Sequence, residues 1–136
     1  MIKSFVLDCS VTMAWWFKDE QCAYSRSVLN HLNNAIAMVP CLWSIEVTNT
    51  IINGEKRKRA DPKNTFAFFD LLETLNITYS TFIPSRPELI RTSRAYNLTS
   101  YDSLYLMLAM HERIPLATKD KGLMRASEIA GVELLQ

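Results

Sequence analysis

The sequence predicts an α/β domain with a short, mainly parallel β-sheet flanked by helices on both sides. Two observations predict it. Short apolar runs rich in β-forming residues alternate along the chain with segments whose apolar residues recur at helical spacing. The breaks between them carry helix-capping residues, and strands that alternate with helices in this way build a parallel sheet. At 136 residues, with 49% hydrophobic residues and only three glycines, the chain has the size and composition of a single domain (residues 1–136) with one core. It contains no linker, internal repeat or low-complexity segment.

The elements follow in order. Ile2 to Leu7 (IKSFVL) reads as a first, central strand ended by Asp8, with Ser10 as a cap for a short helix over Val11 to Phe17. Cys22 to Leu32 reads as a second helix with Val28, Leu29 and Leu32 on its inner face, and Ala35 to Val39 as a second strand stopped by Pro40. Leu42 to Arg59 is contested. Its β-branched residues Ile45, Val47, Thr48, Thr50, Ile51 and Ile52 favour a strand by propensity. A strand so soon after the last one leaves no room for a parallel crossover, however, and the cations Lys56 to Arg59 suit a helix C-terminus, so helix is preferred. Asp61-Pro62 starts the next helix as a cap with Pro in first position, with Phe66, Phe69, Leu72 and Leu75 at helical spacing. Ile77 to Ile83 reads as a strand, and Ser85-Arg86-Pro87-Glu88 as a capping box opening a helix through Tyr96.

Leu98 to Arg113 (LTSYDSLYLMLAMHER) reads as a helix started by Thr99 or Ser100. Its Leu104, Tyr105, Leu106, Met107, Leu108 and Met110 cover the whole circumference, the mark of a helix buried on most sides. Asp102, in the first turn, is a charge at the mouth of this apolar helix and is costly unless something compensates it. Ile114 to Thr118 reads as a brief strand, Lys121 to Ala130 as a helix closed by Gly131, and Val132 to Leu135 as a final strand.

Composition excludes several classes. A formal net charge of +1 gives no global signature of a nucleic-acid binder, so any such contact is confined to a local groove. Cys9, Cys22 and Cys41 are odd in number, lack CxxC spacing and lie beside apolar residues, which predicts reduced, buried thiols. With only His31 and His111 to join them, they do not suggest zinc. No basic-then-apolar leader precedes Asp8, and no apolar run reaches the roughly 18 residues of a membrane span. The expectation is a cytoplasmic protein with no membrane association.

The acids carry the chemistry. Asp8 ends the first strand and Asp120 lies two residues past the IPLAT strand. Glu46 sits one turn into the helix after the second strand, and Asp102 in the first turn of the buried helix. In a parallel sheet, strand ends and the following helix starts share one edge, where ligands bind. Four carboxylates aimed there repel and ionise together only around a cation. Oxygen ligands without His or Cys suit Mg²⁺ or Mn²⁺, and such a site fits metal-assisted phosphodiester hydrolysis with one ion or two.

Four stretches, in order and spacing, match a known family: FVLDCS at Phe5 to Ser10, WSIEVTN at Trp43 to Asn49, LTSYDSLYLMLA at Leu98 to Ala109, and LATKDKGLMRA at Leu116 to Ala126. The chain resembles the PIN-domain ribonucleases, most closely the toxin subunits of VapBC-type toxin–antitoxin pairs. The resemblance implies a PIN-like fold and makes Asp8, Glu46, Asp102 and Asp120 a catalytic quartet that holds one or two Mg²⁺ or Mn²⁺ ions. It makes Ser10 and Thr118 hydroxyls of the same site, and Asn49, one turn past Glu46, a supporting amide. It also implies an RNA substrate, a homodimer, and a small VapB-like antitoxin that covers the site. Lys119, between Thr118 and Asp120, departs from the small or apolar residue of many relatives. It is a candidate phosphate contact, a repulsive neighbour for a cation, or a solvated lysine.

Other residues have competing readings. Trp15 and Trp16 are candidates for core packing, for an antitoxin contact, or for stacking on an RNA base. Lys56 and Arg57, in the run to Arg59, are candidate RNA phosphate contacts or a solvated helix end, as are Arg86, Arg91 and Arg94. The main functional alternative to a nuclease is a PIN-like binding or scaffold module without turnover. A receiver-type phosphotransfer site is disfavoured, because Cys9 follows Asp8 where a second acid is needed.

Overall fold

Phe5, Val6 and Leu7 lose all solvent exposure, as consecutive residues do only on a strand covered on both faces. They form β1 (Ser4–Leu7), the first element of a computed structural model that describes residues 1–136. There follow α1 (Cys9–Trp16), a 3-10 turn (Lys18–Glu20), α2 (Ala23–His31), β2 (Ile36–Val39) and α3 (Cys41–Lys56). A second 3-10 turn (Pro62–Asn64) leads to α4 (Thr65–Thr74), β3 (Ile77–Tyr79), α5 (Arg86–Tyr96), α6 (Ser100–Glu112), β4 (Leu116–Ala117) and α7 (Lys121–Ala130). No helix is long and apolar enough to cross a membrane.

The four strands lie in the order β3-β2-β1-β4, all parallel, with helices flanking the sheet. Ser4, Phe5 and Val6 pair with Ile36, Ala37 and Met38 on one side, while Val6 and Leu7 pair with Leu116 and Ala117 on the other. The chain therefore leaves β1 towards β2 and returns on its opposite edge as β4. The carboxyl ends of β1 and β4 flank a topological switch point, where a crevice opens in sheets of this kind.

α3 is the helix preferred from the sequence, against the β-propensity of its residues. Trp43, Val47, Ile51 and Gly54 are buried along one stripe, the helical period overriding intrinsic preference. Gly54 is required by packing. A Cβ there would stand 2.6 Å from two ring carbons of Phe17, so the missing side chain lets α3 seat against the residue that closes α1. α6 begins where Thr99 Oγ1 accepts from the Asp102 N–H at 3.1 Å, and ends at Arg113 in the left-handed region, φ 57°. Ser103 and the run from Tyr105 to Ala109 are buried, but Met110 is exposed, so α6 is covered on most of its circumference and open at its C-terminal end.

Several boundaries differ from the sequence reading, each for a local reason. The strand expected to Ile83 stops at Tyr79: Ser80 still donates its N–H to Val39, and its hydroxyl then accepts the Phe82 N–H at 3.0 Å, turning the chain off the sheet. The strand expected over Ile114 to Thr118 shortens to Leu116–Ala117. Beside so short an edge, the final strand expected over Val132 to Leu135 reduces to a single bridge between Leu116 and Leu134. The cap of α1 is Asp8, not Ser10, whose hydroxyl is used elsewhere. On α4 the buried residues are Thr65, Phe68 and Leu72, while Phe66 is 77% exposed and Leu75 is already the C-cap. All three cysteines are free, but only Cys9 is buried; Cys41 is exposed.

Candidate active site

Asp8 leaves β1 with its backbone N–H donated to the Ala117 carbonyl at 3.0 Å, so its position is fixed by the sheet. It is 4% exposed. A carboxylate so buried needs hydrogen-bond donors, and two hydroxyls supply them: Ser10 Oγ donates to Oδ2 at 2.5 Å and Thr118 Oγ1 at 2.8 Å. Those hydroxyls also accept backbone donors, Lys119 N–H to Ser10 at 2.9 Å and Asp120 N–H to Thr118 at 3.0 Å. The ends of β1 and β4 are thus joined through two side chains. Burial raises the pKa of Asp8, the two hydroxyls oppose the rise, and the charge of Asp120 adds to it.

Asp120 is the N-cap of α7, its Oδ2 accepting the Leu123 N–H at 2.8 Å, a position that favours a negative charge. Glu46 reaches in from α3, half-buried, and its Oε1 accepts from the Tyr105 hydroxyl at 2.5 Å. Its pKa is raised by burial, held back by that hydrogen bond, and raised further by Asp8 and Asp102. Asp102 is raised to about 6, first by burial and then by the charges of Asp8 and Asp120, with Thr99 opposing. The charge of Asp120 thus bears on Asp8 and Asp102, and those of Asp8 and Asp102 on Glu46, linking acids from the end of β1, α3, the first turn of α6 and the cap of α7 into one cluster.

No protein cation balances them. The three ion pairs involve Arg59 with Asp19 and Glu20, and Lys63 with Asp61, and none includes a member of the quartet. Lys119 donates its ammonium to the Glu20 carbonyl at 3.0 Å, which ties the turn after α1 to the end of β4 instead of neutralising a carboxylate. Burial, and then the charges of Glu46 and Asp8, push the Cys9 thiol beside the acids far above its usual range, so it adds no charge to the cluster. His31 contacts the Gln136 carbonyl and His111 stacks on Phe82 at 4.2 Å. The donor set is all oxygen and fits a hard divalent cation. No three of these side chains converge into a finished cation cage.

The remaining candidates are placed as follows. Asn49 is exposed one turn beyond Glu46, and the partner that holds Glu46 is Tyr105. Trp15 is half-buried and donates its indole N–H to the Ser25 carbonyl at 2.8 Å, while Trp16 packs at a tilt against Phe68, ring centroids 4.8 Å apart. Lys56 and Arg57 are exposed at the end of α3. Tyr105 is the residue that sequence reasoning missed. It was grouped with the apolar residues of its helix, although its hydroxyl, three residues past Asp102, needs a partner wherever the ring is buried.

An α/β protein with carboxylates gathered at the switch point of a parallel sheet is the class that the fold and site define. Within it, a family model described as PIN domain matches residues 5–129, and the chain belongs to the PIN-domain family. PIN domains are generally nucleases, and they typically use divalent metals. The chain is similar in fold to a protein of Pyrobaculum aerophilum, solved as the crystal structure of PAE2754, with a TM-score of 0.71 at 19% identity over 93% of this chain and 87% of that one. No curated protein sequence matches the chain.

Proposed function

We propose that this protein is a metal-dependent endoribonuclease, the toxin component of a toxin–antitoxin pair, acting in the cytoplasm on RNA phosphodiester bonds. The observation that carries the reading is the quartet: four carboxylates from four separate segments form one cluster with no cation among them. Asp8, Glu46, Asp102 and Asp120 would hold Mg²⁺ or Mn²⁺. When bound, such an ion supplies Lewis acidity that makes water nucleophilic near neutral pH and stabilises the leaving oxygen.

The chain's own residues supply the rest. Ser10 and Thr118 keep Asp8 fixed by donating to Oδ2. Asp120 keeps its carboxylate at the N-terminus of α7 by accepting from Leu123. Asp102, raised to about 6 by burial and the charges of Asp8 and Asp120, would be held in its ionised form by a bound cation, so cation binding would be coupled to proton release at mildly acidic pH. The exposed Lys56 and Arg57 are the phosphate contacts of the reading, and Lys119 serves as a tether. The partners proposed with this function are a second copy of the chain and a small VapB-like antitoxin.

The test is direct. Purified protein with Mg²⁺ or Mn²⁺ is expected to cut RNA internally and to lose that activity in EDTA. Asp102→Asn is expected to abolish cleavage with an unchanged far-ultraviolet circular dichroism spectrum. Undiminished cleavage by that variant, or by wild type in EDTA, would contradict the proposal.

A further inference from the structure

Glu46 has the longest arm of the four acids, and no backbone N–H holds its carboxylate. Asp8 is fixed by two hydroxyls, and Asp120 by the first turn of α7. Glu46 rises from the body of α3, where free rotation about three side-chain bonds would let its carboxylate swing away. One contact prevents this: Tyr105 Oη donates to Glu46 Oε1 at 2.5 Å across 59 positions of sequence. Tyr105 is wholly buried, at 0% exposure, so no solvent satisfies its hydroxyl. A phenylalanine would fill nearly the same volume without incurring the cost of an unpaired buried donor. The only partner that justifies a tyrosine here is Glu46.

The position of Tyr105 on its helix adds a second argument. Asp102 and Tyr105 are three residues apart on α6 and so share a face. One turn of a buried helix therefore carries both an acid of the site and the group that holds another acid, brought from a different helix. Glu46 Oε2 accepts from no protein donor and is the free oxygen of the pair.

We propose that Tyr105 is the positioning residue of this site: by fixing Oε1 it holds the α3 carboxylate in register with Asp102 and keeps Oε2 as the donor available to a divalent cation. The inference rests on the proposal that the quartet holds such a cation. Groups that orient metal ligands in this way typically change metal affinity by about 10–100-fold when removed.

The experiment is a titration with Mn²⁺, following the free ion by electron paramagnetic resonance, on wild type and Tyr105→Phe. Thermal unfolding in EDTA shows that the variant is folded. Tyr105→Phe is expected to weaken Mn²⁺ binding by about 10-fold or more. In a Glu46→Gln background the same change is expected to matter by no more than about twofold, because the coupled partner is gone. Equal Mn²⁺ affinity in folded Tyr105→Phe overturns the inference and leaves the cation reading standing. An equal loss in both backgrounds overturns it as well, since that marks a general structural effect. Absence of Mn²⁺ binding by the wild type overturns both. Should Tyr105→Phe not fold, Glu46→Asp keeps the charge and shortens the arm, and it must show the same loss; undiminished affinity there overturns the inference.

Discussion

Asp102 has a side-chain pKa of about 6 in the folded protein against an ordinary value of 3.8. Between those values the folded state keeps a proton that the unfolded chain releases. Its contribution to stability is therefore fully present below pH 3.8 and is lost as pH rises through 6. Asp8 and Glu46 are raised as well, so they act in the same direction. In EDTA the melting temperature is expected to fall as pH is raised across this window, and added Mn²⁺ is expected to reverse the fall. Asp102→Asn removes one charge from the cluster. At pH 7.5 in EDTA it is expected to melt roughly 3–5 °C above wild type, the effect of ~1 kcal/mol in a chain of this size, and to gain less than wild type from Mn²⁺. Thr118→Val gives the opposite sign. It removes a donor from Asp8 and an acceptor from the Asp120 N–H, and chemical denaturation is expected to show a loss of about 1–3 kcal/mol.

Among the elements, α3 shows how far the sequence could be read. Its β-branched residues argued for a strand, and only the lack of space for a crossover and the cations at its end favoured a helix. Its buried stripe, Trp43, Val47, Ile51 and Gly54, decides the matter in the fold. Most helix caps that were read were legible because they rest on short-range chemistry: Ser85 and Gly131 stand where local spacing put them, and Thr99 is one of the two starts it offered, although Asp8 displaced Ser10 at α1. Strand ends were not legible. β3 stops where the Ser80 hydroxyl captures the Phe82 N–H, and β4 is two residues long because its one further neighbour is a single bridge. Both depend on pairing partners far away in sequence. The reason for Gly54 was hidden in the same way. An alanine in mid-helix gains ~0.5–1 kcal/mol from backbone entropy, but here its Cβ meets the Phe17 ring at 2.6 Å, and the guanidinium of Arg59 covers that ring at 4.0 Å. Overpacking of about 1–3 kcal/mol outweighs the gain, so Gly54→Ala is expected to lower the melting temperature, which differential scanning calorimetry would measure.

For the whole molecule, the strand order places the carboxyl ends of β1 and β4 side by side, and this is why acids more than a hundred residues apart in sequence share one field. The meeting of Asp8, Asp102 and Asp120 was legible because two follow strands and one lies in the first turn of a helix, positions that a parallel sheet sends to one edge, whereas Glu46 comes from the body of α3. What holds them in place was less legible. The hydroxyls of Ser10 and Thr118 were assigned to the site by resemblance, whereas Tyr105 was hidden among apolar neighbours and Lys119 proved to be anchored to the Glu20 carbonyl. The balance of 15 basic and 14 acidic residues confines any attraction for RNA to local features such as the end of α3. Lys56→Gln with Arg57→Gln is therefore expected to weaken RNA binding uniformly across sequences and to reduce its dependence on salt by about two phosphate contacts, as read from binding isotherms at several salt concentrations.

The central claim is that Asp8, Glu46, Asp102 and Asp120 together hold a divalent cation. Anomalous diffraction from crystals grown with Mn²⁺ tests it most directly. The account predicts one or two strong peaks among these four carboxylates, with none in an Asp102→Asn crystal grown alongside. A wild-type map with no peak among them, or with Mn²⁺ held only by other residues, would contradict it.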